Sequence, residues 1–399
     1  MKTQSVVRDR AATLASSVFR SKFIVGLMLV PFFKSSFYDS FGMLSDLSNY
    51  VLIVETIILI LMAFVCEYRS RILIAVGAYF AWTSFIAPAL GGSISPGVYY
   101  MFEALGFSVL VLLGLRSSGL AFLNALSGWF CFLTAVNLAL VLLFPTGYSS
   151  TANGAVWLFG IRTGFPLVLI PAIGFCCLYD CARNRGVFSL RTWITLIVSV
   201  ASIVNQWIAT GIIELTAFFI MYTCVVVTKR LPVHAIVTSV SVIGFVVVVF
   251  GPSSFLGGLL DMLGRDMTFT GRTDIWAATL AEISSRPIFG YGGIAYVIVH
   301  GSMKAFHCLW LSIAHESGLV GLAIYAIPFL MAAKRFHAER SNPPAQICAM
   351  VFIAMLVASF VEIQTYFPFI YGVLVLSELV RNCPDVFKGN RLPVPMKLR

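Results

Sequence analysis

Residues 119–143 read GLAFLNALSGWFCFLTAVNLALVLL, a run without a single charged side chain. A helix of about 20 mostly apolar residues is long enough to span the hydrocarbon core of a bilayer. Because the apolar residues follow one another instead of alternating, the run predicts a helix and not a strand of a β-barrel. This stretch is therefore expected to cross a membrane.

Similar runs recur along the whole chain. Of its 399 residues, 59% are hydrophobic and 11% are charged, and the mean hydropathy is +0.93. Soluble domains carry about 25% charged residues, so this composition excludes a soluble protein. The sequence predicts one all-α, polytopic membrane domain over residues 1–399 with about twelve transmembrane helices. The predicted spans are 23–43, 49–66, 72–88, 97–114, 119–143, 163–180, 190–205, 209–228, 235–251, 318–333, 344–361 and 365–381.

The first span is interrupted by Lys34 and Asp39. A cleaved signal peptide is the alternative interpretation of this region. No small-residue cleavage site follows the short apolar core of residues 23–33, which favours a membrane span.

The basic residues predict the orientation of the chain. If the N-terminus is cytoplasmic and the spans alternate, 21 of the 27 Lys and Arg residues fall in cytoplasmic segments. The positive-inside rule then predicts that both termini are cytoplasmic. The net charge of +10 follows mostly from this topology, so it predicts no nucleic-acid binding. Eight of the nine cysteines fall in spans or at cytoplasmic ends, which predicts no structural disulfide.

Two longer loops are predicted on the outer face. The first covers residues 145–162. The second, residues 252–317, is much the longest and is rich in aromatic and apolar residues. Long loops in compact proteins are usually functional or disordered, and this composition argues against disorder.

Within the long loop, Thr270 or Thr273 can cap a helix that runs to about Ser285 and is ended by Pro287. The helix is amphipathic and is expected to lie at the membrane surface. Arg272 falls in its first turn, where free backbone N–H groups favour an anion, and a guanidinium binds phosphate oxygens in pairs. Alternatively, Arg272 pairs with one of the nearby acids or with lipid headgroups; the acids are Asp261, Asp266 and Asp274.

His307 is predicted to open a second helix that continues to Ser317 and breaks at Gly318. On that helix it would share a face with Trp310, Leu311 and Ala314. A histidine at the membrane boundary can act as a general base near neutral pH; the alternative is a polar side chain at a helix end. The offsets between His300, His307 and His315 do not match a helical zinc pair, so no metal site is predicted.

Three motifs in this loop resemble the signature of one family. They are GRTDIW at 271–276, PIFGYGG at 287–293 and HCLWLSIAHESGLVG at 307–321. In this order they resemble the O-antigen ligase and Wzy-type polysaccharide polymerase superfamily, and the TGRTDIW wording is most similar to its exopolysaccharide repeat-unit polymerases. The segment FGIRTGFP at 159–166 resembles a weaker feature of the same family.

The resemblance implies a GT-C-type membrane glycosyltransferase with its active site on the periplasmic face of the bacterial inner membrane. Such enzymes use an undecaprenyl-pyrophosphate-linked oligosaccharide as donor, invert the anomeric carbon and need no metal or other cofactor. By motif position, Arg272 and His307 correspond to the family's pyrophosphate-binding arginine and its catalytic histidine. Arg162 and Arg265 are further candidates for binding the pyrophosphate. Cys308 stands where the family usually has Asn, which puts in doubt how the acceptor is held.

Several alternatives remain open. A polymerase uses a second lipid-linked repeat unit as acceptor, with a chain-length regulator and a flippase as candidate partners, whereas an O-antigen ligase uses lipid A core. A transporter or flippase would use acids inside the membrane, and four glutamates fall in or near spans: Glu55, Glu103, Glu214 and Glu378. A metal-dependent transferase would use Asp39 and Asp46, which do not form an Asp-x-Asp pair.

Overall fold

The computed structural model describes residues 2–33, 42–151, 154–184, 186–251, 271–293, 296–363, 367–387 and 391–394. These residues form an all-α architecture with two small sheets in loops. The helices are α1 (Lys2–Arg20), α2 (Lys22–Leu29), α3 (Gly42–Val65), α4 (Arg71–Ala89), α5 (Ser95–Ser118), α6 (Leu120–Leu143), α7 (Pro166–Ala182), α8 (Leu190–Asn205), α9 (Ala209–Thr228), α10 (Val233–Phe250), α11 (Arg272–Ser285), α12 (Leu309–Ala338), α13 (Pro343–Ser359), α14 (Phe369–Asn382) and α15 (Pro384–Phe387).

The chain is a multi-pass membrane protein. Among the described residues, eight helices are long and apolar enough to cross a bilayer, or nine if the bent pair formed by Val6–Arg20 and Lys22–Phe33 is one span. Eight of the predicted spans fall on these eight helices. The remaining four predicted spans, 23–43, 190–205, 344–361 and 365–381, fall on shorter helices. The total of twelve spans and the GT-C architecture therefore remain predictions.

The first predicted span differs from the structure. The helix α2 passes into a 3-10 turn at Val30–Phe33, and residues 42 and 43 already belong to α3. Lys34 and Asp39 lie outside the described residues. Charged interruptions of an apolar run are costly inside lipid, which argues against one continuous span over 23–43. Before it, α1 packs against α5 and meets α2 at an angle of 87°.

The centre of the bundle is the helix α7, in which all residues but the last are buried. Phe130 of α6 stacks on Phe175 of α7 with ring centroids 5.1 Å apart, and it lies 5.3 Å from Phe369 of α14. Phe107 of α5 meets the same Phe369 ring edge-on at 5.0 Å. Because lipid is as apolar as these side chains, close packing is what holds the helices together.

The long loop forms its own small hydrophobic core, which we call the loop core. Its buried residues come from α10, α11, strand β4, residues 306–308 and the start of α12; they are Val248, Ile275, Trp276, Val297, Val299, Phe306, Cys308 and Leu311. Strand β4 (Val297–Val299) pairs in antiparallel fashion with β5 (Ser302–Lys304). The end of the bundle that carries the loop core is called the loop face below.

The earlier loop also has regular structure. Strands β1 (Ser149–Thr151), β2 (Gly154–Trp157) and β3 (Gly160–Ile161) form an antiparallel meander. Trp157 Nε1 donates a hydrogen bond to the carbonyl oxygen of Phe144 at 2.8 Å, and the amide of Phe159 donates to Asn137 Oδ1 at 3.1 Å. These bonds fix the segment that leads into α7 at the loop face.

Candidate functional site

Arg272 is the first residue of α11. Gly271 takes the N-cap position with φ +81°, a conformation that glycine adopts without strain, and no side chain caps the helix. The predicted position of Arg272 in the first turn is confirmed. The predicted cap at Thr273 is wrong because Thr273 already lies inside the helix, and Thr270 lies outside the described residues.

The guanidinium of Arg272 is held by the segment that follows α13. Its Nη1 donates to the carbonyl oxygen of Val361 at 2.8 Å, and its Nη2 lies 3.0 Å from Glu362 Oε1. The side chains of Arg272 and Glu362 are 18% and 8% exposed, so this ion pair is largely shielded from water. A guanidinium held in this way is positioned before any ligand arrives.

Glu362 was not predicted as the partner of Arg272. Of the three acids proposed from the sequence, Asp274 lies 3.6 Å from His300 instead, while Asp261 and Asp266 lie outside the described residues. The sequence gives one indication that Glu362 is functional, because this residue directly follows the predicted span 344–361. A carboxylate at a span boundary is a functional suspect, but only the fold brings it to Arg272.

A second carboxylate lies beside Glu362. Thr210, in the first turn of α9, donates to Glu362 Oε1 at 3.3 Å, and Glu214 lies one helical turn further along α9. Glu214 is fully buried, and both of its oxygens are without a hydrogen-bond partner among the described residues. Of the four glutamates singled out in the sequence, Glu214 is therefore the one next to the candidate site.

His307 lies between the β4–β5 hairpin and α12. It has φ +49° and precedes the N-cap residue Cys308, so the helix begins at Leu309. The prediction that His307 opens this helix and shares a helical face with Trp310, Leu311 and Ala314 is wrong. A residue with positive φ cannot sit in a right-handed helix. The predicted break at Gly318 is confirmed, although the helix resumes after it and runs to Ala338.

The surroundings of His307 keep it uncharged. Burial, and secondly the positive charge of Arg272, lower the pKa of His307 from 6.5 to about 4. The imidazole is therefore neutral near pH 7 and can accept a proton. The backbone is fixed next to it, since Trp276 Nε1 donates to the carbonyl oxygen of Phe306 at 3.1 Å. Burial raises the pKa of the neighbouring Cys308 to about 11, which makes that thiol an inert part of the loop core.

Of the other two predicted arginines, Arg162 and Arg265, the structure describes only Arg162. Arg162 is exposed in the 3-10 turn Arg162–Gly164 before α7, and it forms no ion pair with any residue that the structure describes. Its segment reaches α9: a Cβ on Gly211 would lie 2.8 Å from Pro166 Cγ. Arg162 therefore belongs to the same end of the bundle as Thr210 and Glu362. Arg265 lies outside the described residues.

A second histidine in the loop forms a buried contact that the sequence analysis missed. His315 is 1% exposed, and its Nε2 lies 2.6 Å from Glu282 Oε2 of α11. Its ring stacks on Tyr291 at 4.6 Å with an interplanar angle of 7°. Through these two contacts, His315 of α12 packs against α11 and against the 287–293 motif. The sequence analysis considers His315 only as part of a possible zinc pattern, because a structural pairing with an acid 33 residues away in another helix has no local signal.

Two glycines make this docking possible. The amides of Tyr291 and Gly292 donate to the carbonyl oxygens of His315 and Glu316, at 2.8 and 2.9 Å. A Cβ on Gly290 would lie 2.4 Å from the His315 oxygen, and a Cβ on Gly318 would lie 2.1 Å from the Ile288 oxygen. Both glycines also have positive φ. The motifs at 287–293 and 307–321 are therefore two sides of one tight backbone contact.

The remaining acids are away from this constellation. Glu378 of α14 lies 2.7 Å from Arg335 Nη2 and accepts a bond from the amide of Arg71 at 3.2 Å, which caps the start of α4. Glu103 accepts a hydrogen bond from the Tyr99 hydroxyl at 2.7 Å. Asp46 is exposed on α3, and Asp39 lies outside the described residues. In the described part of the chain, no group of three or more His, Cys, Asp or Glu side chains could hold a metal ion.

The comparisons with known proteins bear on the motif resemblance. No family model matches the chain. Over 161 residues the chain is 26% identical to "Exopolysaccharide production protein ExoQ" of Rhizobium meliloti (strain 1021). The chain is similar to an exopolysaccharide production protein. This finding confirms the resemblance that the motifs predicted. The alignment covers 35% of this chain and 35% of the relative.

Proposed function

We propose that the protein is a membrane glycosyltransferase that polymerises undecaprenyl-pyrophosphate-linked oligosaccharide repeat units in exopolysaccharide production. The observation that carries this proposal is the pairing of a shielded, positioned Arg272 with a neutral His307 whose pKa Arg272 helps to lower. One group suits a departing pyrophosphate and the other suits an acceptor hydroxyl. The similarity to an exopolysaccharide production protein agrees with this class of reaction.

In the proposed reaction, the acceptor hydroxyl oxygen attacks the anomeric carbon of the lipid-linked donor. The bond between that carbon and the pyrophosphate oxygen breaks, and its electron pair stays on the pyrophosphate. Arg272 stabilises this developing charge in surroundings that are largely shielded from water, where a preorganised cation is most effective. The hydroxyl proton passes to the neutral imidazole of His307 and from there to solvent. Attack opposite the leaving group inverts the anomeric configuration.

Arg162 has a secondary role in this proposal. It is exposed at the same end of the bundle and has no acidic partner within the described residues. It can therefore approach the pyrophosphate from the α7 side without first breaking an ion pair. The positive-inside rule supports a periplasmic position for this face, and the motif resemblance supports the bacterial inner membrane. A membrane-embedded enzyme suits a donor whose polyprenyl chain stays in the bilayer.

The test is a gel of products from the purified protein in liposomes supplied with undecaprenyl-pyrophosphate repeat units alone. A ladder of lengthening chains is the expected result, and it should persist in EDTA because the proposed chemistry needs no metal. Loss of the ladder in EDTA with recovery in Mg²⁺ would contradict metal independence.

The acceptor separates the polymerase from the ligase. If no ladder forms from the repeat unit alone and product appears only after lipid A core is added, the protein is a ligase. If neither acceptor gives product with a competent donor, the glycosyltransferase proposal is overturned and transport of lipid-linked sugars must be assayed next.

A further inference from the structure

A cavity between α7, α8 and α9 lies toward the end of the bundle opposite the loop face. Its volume is about 380 Å³, within the range of about 300–1,000 Å³ that is usual for small-molecule sites. Its walls include Cys177 of α7, Thr192 of α8 and the stretch of α9 from Phe218 to Val226. That stretch begins eight residues, or about 12 Å, beyond Thr210 of the candidate site. The cavity is therefore separate from the site around Arg272.

The cavity offers little to a polar ligand. Three hydroxyl groups line it, and each already has a partner in the protein. Thr192 Oγ1 donates to Asp180 Oδ2 at 2.6 Å, and Thr223 Oγ1 donates to a carbonyl oxygen of its own helix at 2.9 Å. The Tyr222 hydroxyl donates to the carbonyl oxygen of Pro393. The other lining side chains are hydrocarbon except for one thiol and one indole. Because a buried water needs two to four polar partners, such a cavity suits a hydrocarbon chain.

The cavity opens sideways, toward the bilayer. On its outer side, Phe219 of α9 is 38% exposed and Trp193 of α8 is half-buried. Next to these residues, Ile197 and Ile220 are 61% and 64% exposed. Since α9 is long and apolar enough to cross a bilayer, exposed isoleucines on this side face hydrocarbon. A lipid chain can therefore enter between α8 and α9.

The end of the cavity nearer the loop face is closed by helix packing. A Cβ on Gly211 of α9 would lie 2.8 Å from Pro166 Cγ of α7 and 3.0 Å from Ile203 Cγ2 of α8. The three helices touch at this point, so a polyprenyl chain anchored at Arg272 has no internal path into the cavity. The occupant comes instead from the leaflet opposite the loop face.

Positive charge lies at the edge of the cavity. Arg183 at the end of α7 and Lys229 and Arg230 at the end of α9 are exposed, and none of them forms an ion pair with a described residue. Lys229 Nζ donates to the carbonyl oxygen of Val226, a lining residue, at 2.6 Å. The nearby acid Asp180 is fully buried and accepts two hydrogen bonds. Basic side chains at a membrane surface attract anionic lipids.

We propose that this cavity binds one chain of an anionic phospholipid from the leaflet opposite the loop face, with the lipid phosphate at Lys229. Arg183 and Arg230 add to the positive charge around that phosphate. The inner wall is held in place for the chain, since the amide of Phe188, a lining residue, donates to the carbonyl oxygen of Val394 at 3.0 Å. A lipid that binds only the folded protein stabilises it. This site is independent of the proposed glycosyl transfer.

The experiment measures lipid binding by native mass spectrometry of the full-length protein in detergent. Phosphatidylglycerol is compared with phosphatidylethanolamine, which has the same acyl chains and no net charge. Wild type should bind phosphatidylglycerol about five-fold more tightly or better, because each basic residue near a membrane surface favours an anionic lipid by roughly that factor. Phosphatidylglycerol should also raise the thermal unfolding temperature more than phosphatidylethanolamine does.

Two pairs of variants separate the chain site from the charge. Thr223→Trp places an indole at the cavity and should weaken binding of both lipids by about ten-fold or more. Thr216→Trp is its control, because Thr216 is exposed on the same helix outside the cavity. Lys229→Gln should weaken only phosphatidylglycerol, by about five-fold. Lys334→Gln, at an exposed position near the end of α12, should bind like wild type.

The outcomes distinguish the occupants. Equal binding of the two phospholipids to wild type, or wild-type binding in Thr223→Trp, would overturn the proposal. If undecaprenyl phosphate binds to wild type, is lost in Thr223→Trp, and phosphatidylglycerol does not bind, the cavity holds the polyprenyl chain and the proposal is also overturned. If Thr223→Trp does not fold, judged by size-exclusion chromatography, Leu196→Trp on the facing side of the cavity carries the same test.

Discussion

Two arginine–glutamate pairs within the described residues are shielded from water, and they differ in what surrounds them. At the loop face, Arg272 pairs with Glu362 near the fully buried side chain of Glu214 and the neutral His307. In the last turns of α12, Arg335 pairs with Glu378, which also caps the first amide of α4. The second pair joins three helices and serves as a structural link. The first is surrounded by groups that remain available for a ligand, which is what a binding site requires.

The largest expected effect separates these two pairs. Arg272→Ala removes the cation that stabilises the departing pyrophosphate, and polymer formation should fall by roughly 1,000-fold. Arg335→Ala leaves Glu378 buried without its cation, which should cost about 3 kcal/mol of stability while the folded fraction remains active. The measurements are the product gel and thermal unfolding of both variants in detergent. Full activity in Arg272→Ala, or loss of activity in well-folded Arg335→Ala, would reverse the distinction.

The second expected effect compares two histidines of the same loop. His307→Ala removes the proposed base and should lower the polymerisation rate by about 100-fold or more, with little change in stability. His315→Ala breaks the buried contact with Glu282 and the stacking on Tyr291, so it should lower the stability by about 1–3 kcal/mol. Rates are compared per folded molecule, as determined by size-exclusion chromatography. If His307→Ala is unstable and His315→Ala is stable but inactive, then His315 is the base and His307 is the structural residue.

These contrasts also show where the sequence was informative. Continuous apolar runs predicted the long helices because the apolar interior of a membrane requires them. The predicted helix ending near Ser285, with Arg272 in its first turn, is confirmed, although its cap is Gly271 and not Thr273. Glu362 and Glu282 could not be predicted as partners because they lie 90 and 33 residues away from Arg272 and His315. Likewise, the positive φ of His307 is imposed by the β4–β5 hairpin and the loop core. Local sequence patterns do not report such tertiary constraints. The start of α12 was therefore predicted two residues too early.

The lowered pKa of His307 predicts how its protonation depends on pH. Since its pKa is lowered from 6.5 to about 4, the imidazole should stay neutral as the pH falls through 6.5 and should gain its proton only near 4. NMR of protein labelled with ¹³C-histidine can follow this directly, because the chain has only five histidines. In Arg272→Ala the pKa should rise but stay below 6.5, since burial is the larger cause. An ordinary titration of His307 near 6.5 in wild type would contradict its proposed environment.

The smallest effect is expected from the exposed pair on α11. Asp274 lies two residues after Arg272, and its carboxylate is 3.6 Å from His300, but the two side chains are 61% and 84% exposed. Exposed pairs contribute at most about 1 kcal/mol, and salt screens them. Asp274→Asn should therefore leave the rate unchanged and shift thermal unfolding only slightly, even though this residue belongs to the same sequence motif as Arg272. A large loss of rate in a folded Asp274→Asn variant would mean that the whole first turn of α11, and not the shielded pair with Glu362, determines activity.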